Sequence, residues 1–211
     1  MSKLSSLFKF KKSKNTRKYA YYNRENQVTN LADLLMIFNS KANQEYTTAE
    51  LIKHSGLALS EINETSLLKA LKNPDYLMDD LDDIEDYKVL FYRRRVDKFI
   101  FLLQFHFFKG NFVFVSNKIS SHGILTKSER IGLIKNMGEK YFPEGFELDL
   151  TKRFDIKIND ENNNFLKVID EVDFRIHYVN NSSKNQKLIN KHIDEIVVPE
   201  DDLQDRLGKF L

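Results

Sequence analysis

The sequence predicts an α+β protein: an N-terminal three-helix segment, then an antiparallel sheet in βββ-α-ββ order with one helix packed on it, and a C-terminal helix. Three observations carry that reading. Val89 to Ile119 is dense in aromatic and aliphatic residues and is interrupted at Lys109-Gly110-Asn111. Apolar residues between Leu31 and Leu71 recur at helical spacing. Thr126-Lys127-Ser128-Glu129 is a capping box, in which the Thr and Glu side chains satisfy each other's backbone N–H groups at a helix start.

Residues 1–24 read as a basic arm with eight Lys/Arg and no acid. Lys9, Lys11, Lys12, Lys14, Arg17 and Lys18 alternate there with Phe8, Phe10, Tyr19, Tyr21 and Tyr22. The stretch lacks the periodicity to fold alone. Cations interleaved with rings suit phosphates or an acidic partner.

Residues 25–78 read as the helical segment. Leu31, Leu34, Leu35 and Phe38 share a face after Thr29 or Asn30 as cap. Thr47 with Glu50 opens a second helix that ends near Gly56. Ser60 opens a third, through Ile62, Leu67, Leu68 and Leu71, which stops before Asn73-Pro74. This is a helix-turn-helix layout, but the third helix carries Glu61 and Glu64 against Lys69 and Lys72, with no Arg. A groove-reading helix needs basic or amide side chains, so packing is the better role. Residues 79–86 hold six acids and no base, an acidic linker without the Gly of a metal-binding loop.

Residues 87–198 read as the sheet domain. Lys88 to Arg93 is the first strand and Arg94 to Lys98 the connection to a second, Phe99 to Phe108. Gly110-Asn111 is expected as a type II′ turn, which sets Phe107 opposite Phe114 and His106 opposite Val115. Phe105, Phe107, Phe112 and Phe114 then share one face, and Gln104, His106, Phe108, Val113 and Val115 the other. Both faces are apolar near the turn, so both are expected to be covered, the second by the N-terminal helices or a neighbouring subunit. The helix from Thr126 buries Ile131, Ile134, Gly138 and Tyr141 and stops before Pro143. Phe154, Ile156 and Ile158 alternate as a strand. Phe165 to Val179 alternates as one long strand with even positions inward and Asp170 as a bulge. Asn180 to Lys184 is a loop, Lys187 to Ile193 fits no single pattern, and Ile196 to Val198 is a short edge strand. Residues 199–211 form the C-terminal helix, with Leu203, Leu207 and Phe210 on one face.

Composition narrows function. The chain has 211 residues, 41% of them hydrophobic, enough for a substantial core. Without Cys it has no disulfide, thiolate metal site or thiol nucleophile. No apolar run is long and charge-free enough to cross a bilayer, and no secretory leader is evident, so a cytoplasmic location is expected, or one within a virion if the source is viral. A net charge of +2 conceals alternating blocks: residues 25–92 hold five bases and thirteen acids, 93–153 twelve and six, and the remainder eight and twelve.

Catalytic and metal motifs fail on inspection. Asp160-x-Asn162-x-Asn164 with Glu171 follows calcium-loop spacing, but Phe165 stands where a Gly permits the turn, and a polar hairpin loop fits better. Lys109-Gly110 with Phe112-Val113-Phe114 falls one residue short of the aromatic strand of an RNA-recognition sheet. The five histidines lack helical zinc spacing. His122, beside Ser120 and Ser121, has no identifiable orienting acid. No catalytic residue, metal or cofactor is therefore expected.

The expected function is a non-enzymatic structural or adaptor subunit of a larger assembly, such as a virion connector. It docks on other protein subunits through the basic arm and an apolar sheet face, as an oligomer or part of a complex. The alternative is a nucleic-acid-binding protein that uses the arm with Arg93, Arg94 and Arg95. The candidate partner- or phosphate-binding residues are those three with Lys9, Lys11, Lys12, Lys14, Arg17 and Lys18.

Overall fold

A computed structural model describes residues 16–79, 81, 84–151 and 153–196. Helices α1 (Thr16–Glu25) and α2 (Leu31–Phe38) come first. Strands β1 (Gln44–Thr47), β2 (Lys53–His54) and β3 (Leu57–Ala58) follow, then α3 (Glu64–Leu71) and β4 (Tyr76–Met78). The meander is β5 (Tyr87–Val96), β6 (Phe99–Phe108) and β7 (Asn111–Ser120). Helix α4 (Lys127–Tyr141), strands β8 (Asp155–Asn159), β9 (Phe165–Asp170) and β10 (Phe174–Val179), and α5 (Ser183–Ile196) complete the described chain.

Eight strands form one mixed sheet in the order β1-β8-β9-β10-β7-β6-β5-β4. Each neighbouring pair is antiparallel except β1 with β8. β2 and β3 make a separate two-stranded ribbon.

The expected three-helix N-terminal segment and βββ-α-ββ order are therefore corrected. Residues 25–78 contribute α2, then three strands, then α3 and β4, while α1 falls in the stretch read as the arm. Thr47 is the last residue of β1 and pairs with Asn159. The Thr48 hydroxyl donates to Tyr141 O at 2.6 Å while its backbone N–H donates to Asn159 O at 2.9 Å. The Thr47–Glu50 spacing satisfies a capping rule, but long-range pairing with β8 outweighs it. The third expected helix begins later than Ser60. Leu59–Glu61 is a 3-10 turn, and Asn63 caps α3 by accepting from Ser66 N at 2.9 Å.

The meander also shifts by a residue. Lys109 (φ 46°) and Gly110 (φ 73°) are the two turn residues, which makes the turn type I′ and pairs Phe108 with Asn111. A bulge then follows: Phe107 pairs with Phe112 but His106 pairs with Phe114, so Val113 is extra. Because side chains alternate, one extra residue moves Phe114 to the opposite face from Phe112. Arg94 and Arg95 lie within β5, and the connection is only Asp97-Lys98.

Each face of the sheet buries its own core. On one face Leu90, Tyr92, Phe105, Phe107, Phe112 and Val115 pack with Leu67 of α3, with Ile52, Leu59 and Ile62, and with Ile134, Met137 and Tyr141 of α4. On the other, Val89, Phe91, Phe108, Val113 and Phe114 pack with Tyr22 of α1, Val28, Leu34 and Phe38 of α2, and Ile189 of α5. The chain itself covers the second face. A Cβ at Gly138 would collide with the Phe146 ring, so α4 and the segment after it approach too closely for any other residue.

Two further expectations change. Phe165 to Val179 is not one strand but the β9–β10 hairpin, with Asp170 paired to Phe174 and Glu171-Val172-Asp173 between them. Asp170 ends β9 and marks no bulge. Residues 183–196, read as loop, ambiguous segment and the start of an edge strand, are helix α5. Residues 197–198 and the C-terminal helix expected over 199–211 lie outside the described residues.

Candidate functional site

Helix α1 joins the basic arm to the sheet. Tyr22 is 6% exposed, stacks on Tyr76 of β4 with centroids 4.7 Å apart, and meets Phe91 of β5 at 4.9 Å. Burial raises the Tyr22 pKa, helped by Asp75 and opposed by Arg93, so the hydroxyl stays neutral next to the β5 cation. At the other end of α1, Glu25 accepts from Lys118 of β7 at 2.9 Å, and Gln104 Nε2 of β6 donates to Glu25 O at 2.7 Å. Asp173 also meets Lys118, at 3.0 Å. Burial disfavours the Lys118 charge, but the hydrogen bonds to Glu25 and Asp173 outweigh it and raise its pKa.

Arg17 and Lys18 are exposed on α1. Lys9, Lys11, Lys12 and Lys14 lie outside the described residues. The three arginines of β5 have different surroundings. Arg93 is exposed, and its backbone N–H donates to Asp75 at 2.7 Å. Arg94 Nη2 donates to Leu71 O at 2.5 Å and the guanidinium lies 5.1 Å over the Tyr92 ring, so Arg94 caps the C-terminus of α3. Arg95 donates through Nε to Asp97 O and through Nη2 to His122 Nε2 at 2.9 Å. As the acceptor there, His122 carries its proton on Nδ1. These arginines are adjacent in the sequence. Strand alternation separates them, and two of the three serve the fold.

Beneath α1 and α2 a polar row crosses the sheet. Gln104, Ser116, His177, Lys167 and Lys157 are successive cross-strand partners on β6, β7, β10, β9 and β8. No spacing in the sequence announces the row, because register alone assembles it. It clamps the N-terminal layer. Gln27 N donates to Gln104 Oε1 at 3.2 Å, Lys157 donates to Ser40 O at 3.1 Å, and Lys167 donates to Lys41 O while pairing with Asp155 at 2.5 Å. His106 faces the same layer, hydrogen-bonded to Tyr87 at 3.1 Å and stacked on Phe114. Burial drives its pKa well below the ordinary value, with the nearby His177 adding to the effect. His177 falls to about 3, again by burial first, then by Arg175 and Lys167. Ser116 and His177 are neighbours, but Ser116 Oγ and His177 Nε2 are buried without hydrogen-bond partners. They do not bond to each other, as a nucleophile and its base must.

The calcium spacing does not form a site. Asp160 Oδ1 accepts from the backbone of Asn162 and Asn164, each at 2.9 Å, and Oδ2 accepts from Ile52 N at 3.1 Å. Glu171 stands at the far end of β9, about 20 Å away for six strand residues. Among the described residues no group of three or more His, Asp or Glu is arranged to hold a metal ion, and no helix is long and apolar enough to cross a membrane. Phe112 and Phe114 are buried and offer no surface for stacked bases.

The end of the sheet opposite the Lys109-Gly110 turn is cleft. Cavities of about 390 Å³ and 260 Å³ lie there and share Arg153 and Asp170. Compared with known proteins, the chain matches no family model, no curated protein and no solved structure.

Proposed function

We propose that this chain is a non-enzymatic structural or adaptor subunit of a larger assembly, docking on an acidic surface of another subunit through its basic N-terminal arm. The observation that carries this reading is the anchoring of α1. Tyr22 and Glu25 fix the end of the arm to β4, β5 and β7, while Arg17, Lys18 and Arg24 remain exposed. A cationic segment fixed to a folded body steers association and sets its orientation. The described histidines support a non-catalytic role: four are buried, and the exposed one, His122, accepts a hydrogen bond from Arg95. The chain covers both faces of its own sheet, so the arm, and not an apolar sheet face, docks on the partner subunit. A virion connector is one assembly that such a subunit suits, and the matching location is the cytoplasm or a virion.

The test is the mass of the species in solution, by light scattering, for the full chain and for the full chain with Lys9→Gln, Lys11→Gln, Lys12→Gln and Lys14→Gln. The native chain is expected to self-associate and the variant to remain folded and monomeric. Equal association of the two overturns the reading. Binding to a mixed-sequence oligonucleotide that weakens steeply with salt, without self-association, favours the nucleic-acid alternative.

A further inference from the structure

The larger cavity has features that neither the arm nor the fold uses. Its floor is apolar: Leu125, 5% exposed, and Phe154, 4% exposed. Its lining also carries Lys127, Arg130 and Arg153 with Asp170, and Glu171 beside it pairs with Arg153, which leaves a surplus of one cation.

The two guanidinium groups are held in place by backbone. Arg130 Nε donates to Leu125 O at 3.1 Å, and its Nη1 contacts Asp170. Arg153 Nε donates to Asp170 O at 3.1 Å, and its exposed pair with Glu171 spans 3.4 Å. Each arginine therefore keeps N–H donors available beside the cavity in an orientation already fixed, which lowers the ordering cost of binding an oxyanion. Lys127 is exposed and forms no ion pair among the described residues.

The neighbouring chain adds a second, independent observation. Ile124 is 85% exposed and Val172 is 97% exposed, the two highest values among the large hydrophobic residues described. Ile124 precedes the floor residue Leu125, and Val172 lies two residues beyond the wall residue Asp170. Single exposed aliphatics are ordinary on a protein surface. Two such residues close in sequence to the lining residues Leu125 and Asp170 add exposed apolar surface to segments that also carry cations.

We infer that this cleft docks an acidic segment of a partner protein, its carboxylates on Lys127, Arg130 and Arg153 and an apolar side chain over Leu125 and Phe154, between Ile124 and Val172. The surplus cation and the oriented guanidinium groups favour an acidic occupant, and the buried apolar lining favours a peptide over a bare anion. The inference holds whether or not the N-terminal arm docks.

The test is fluorescence anisotropy with the full chain and a labelled peptide bearing two aspartates on each side of a leucine. A control peptide has asparagine for each aspartate. The acidic peptide is expected to bind, and the control to bind roughly ten-fold more weakly or worse. Lys127→Glu with Arg153→Glu, both exposed positions, should weaken the acidic peptide by a similar factor. Ile124→Ser with Val172→Ser should weaken both peptides, since those residues add apolar contact only. The variant with glutamine at 9, 11, 12 and 14 should bind as the native chain does, which separates this surface from the arm. Equal binding of the two peptides, or native affinity in the Lys127→Glu, Arg153→Glu variant, overturns the inference. So does a preference for anionic vesicles or an oligonucleotide that those two substitutions abolish while peptide binding is absent.

Discussion

His54 ties proton chemistry to folding. It is 7% exposed and lies 3.1 Å from Asn117 Oδ1 and 3.0 Å from the Ser55 hydroxyl. Oδ1 only accepts, so the ring donates through Nε2 and receives the Ser55 hydroxyl at Nδ1, an arrangement available to the neutral ring. Burial lowers its pKa to about 4, with the Asn117 hydrogen bond opposing and the Lys140 charge assisting. His106 and His177 shift in the same direction for the same first cause. In the unfolded chain these rings titrate near pH 6.5. Between that pH and about 4 the unfolded state binds more protons, so stability is full above about pH 6.5 and falls as the solution acidifies. His54 alone contributes a loss on the order of 3 kcal/mol once the pH is below about 4. Urea unfolding midpoints should drop between about pH 7 and about pH 5, and His54→Gln, which retains a donor for Asn117, should reduce the drop. An identical pH slope in the variant contradicts this account.

The elements show what a local rule reads and where it stops. Thr126 caps α4 as expected, accepting from Glu129 N at 3.3 Å, because the whole signal lies within four residues. Ile134, Gly138 and Tyr141 of the expected stripe are buried for the same reason. The β9–β10 hairpin was illegible because Glu171-Val172-Asp173 lacks Gly, Pro and Asn, and because its three residues preserve the even-inward alternation from Leu166 to Tyr178. The bulge at Val113 is set by pairing with β6, and no residue type announces it. Helix α5 hid behind its composition. Among its described side chains the buried ones are Asn185, Ile189 and His192, at helical spacing, and two of the three are polar. Asn185 is inside because its Nδ2 donates to Phe112 O at 2.9 Å and Asn180 O at 2.8 Å, beside the bulge. Counting amides and histidines as core candidates would have revealed the helix. The charged cleft was equally hidden, since residues 125 to 130, 153 to 154 and 170 meet only through the fold. At this scale α1 is the element on which the proposed function rests. Tyr22→Ala removes its stacking on Tyr76 and its contact with Phe91, and should cost about 3 kcal/mol in chemical denaturation. A change within about 0.5 kcal/mol would mean that α1 is not anchored as described.

Over the whole molecule, two charged surfaces emerge from a chain of nearly balanced charge. The arm leads into α1, which lies across β4 and β5, and the cationic cleft lies at the end of the sheet that bears the Asp97-Lys98 connection and the β9–β10 turn. Between them the chain covers both faces of the sheet, so the proposed docking uses segments and rims and not the sheet face. The reading of a basic arm was legible from composition alone. Its attachment was not: Tyr22 of α1 belongs to the core, so residues read as arm up to Arg24 include part of the folded body. The most direct measurement joins lysine amines to carboxylates with a zero-length cross-linker in an equal mixture of isotope-labelled and unlabelled full chains, and identifies the mixed-isotope products by mass spectrometry. The account predicts intermolecular links from Lys9, Lys11, Lys12 or Lys14 to acids of the neighbouring chain, lost at high salt. Associated chains whose intermolecular links all begin elsewhere, with the arm lysines joined only within their own chain, would contradict it.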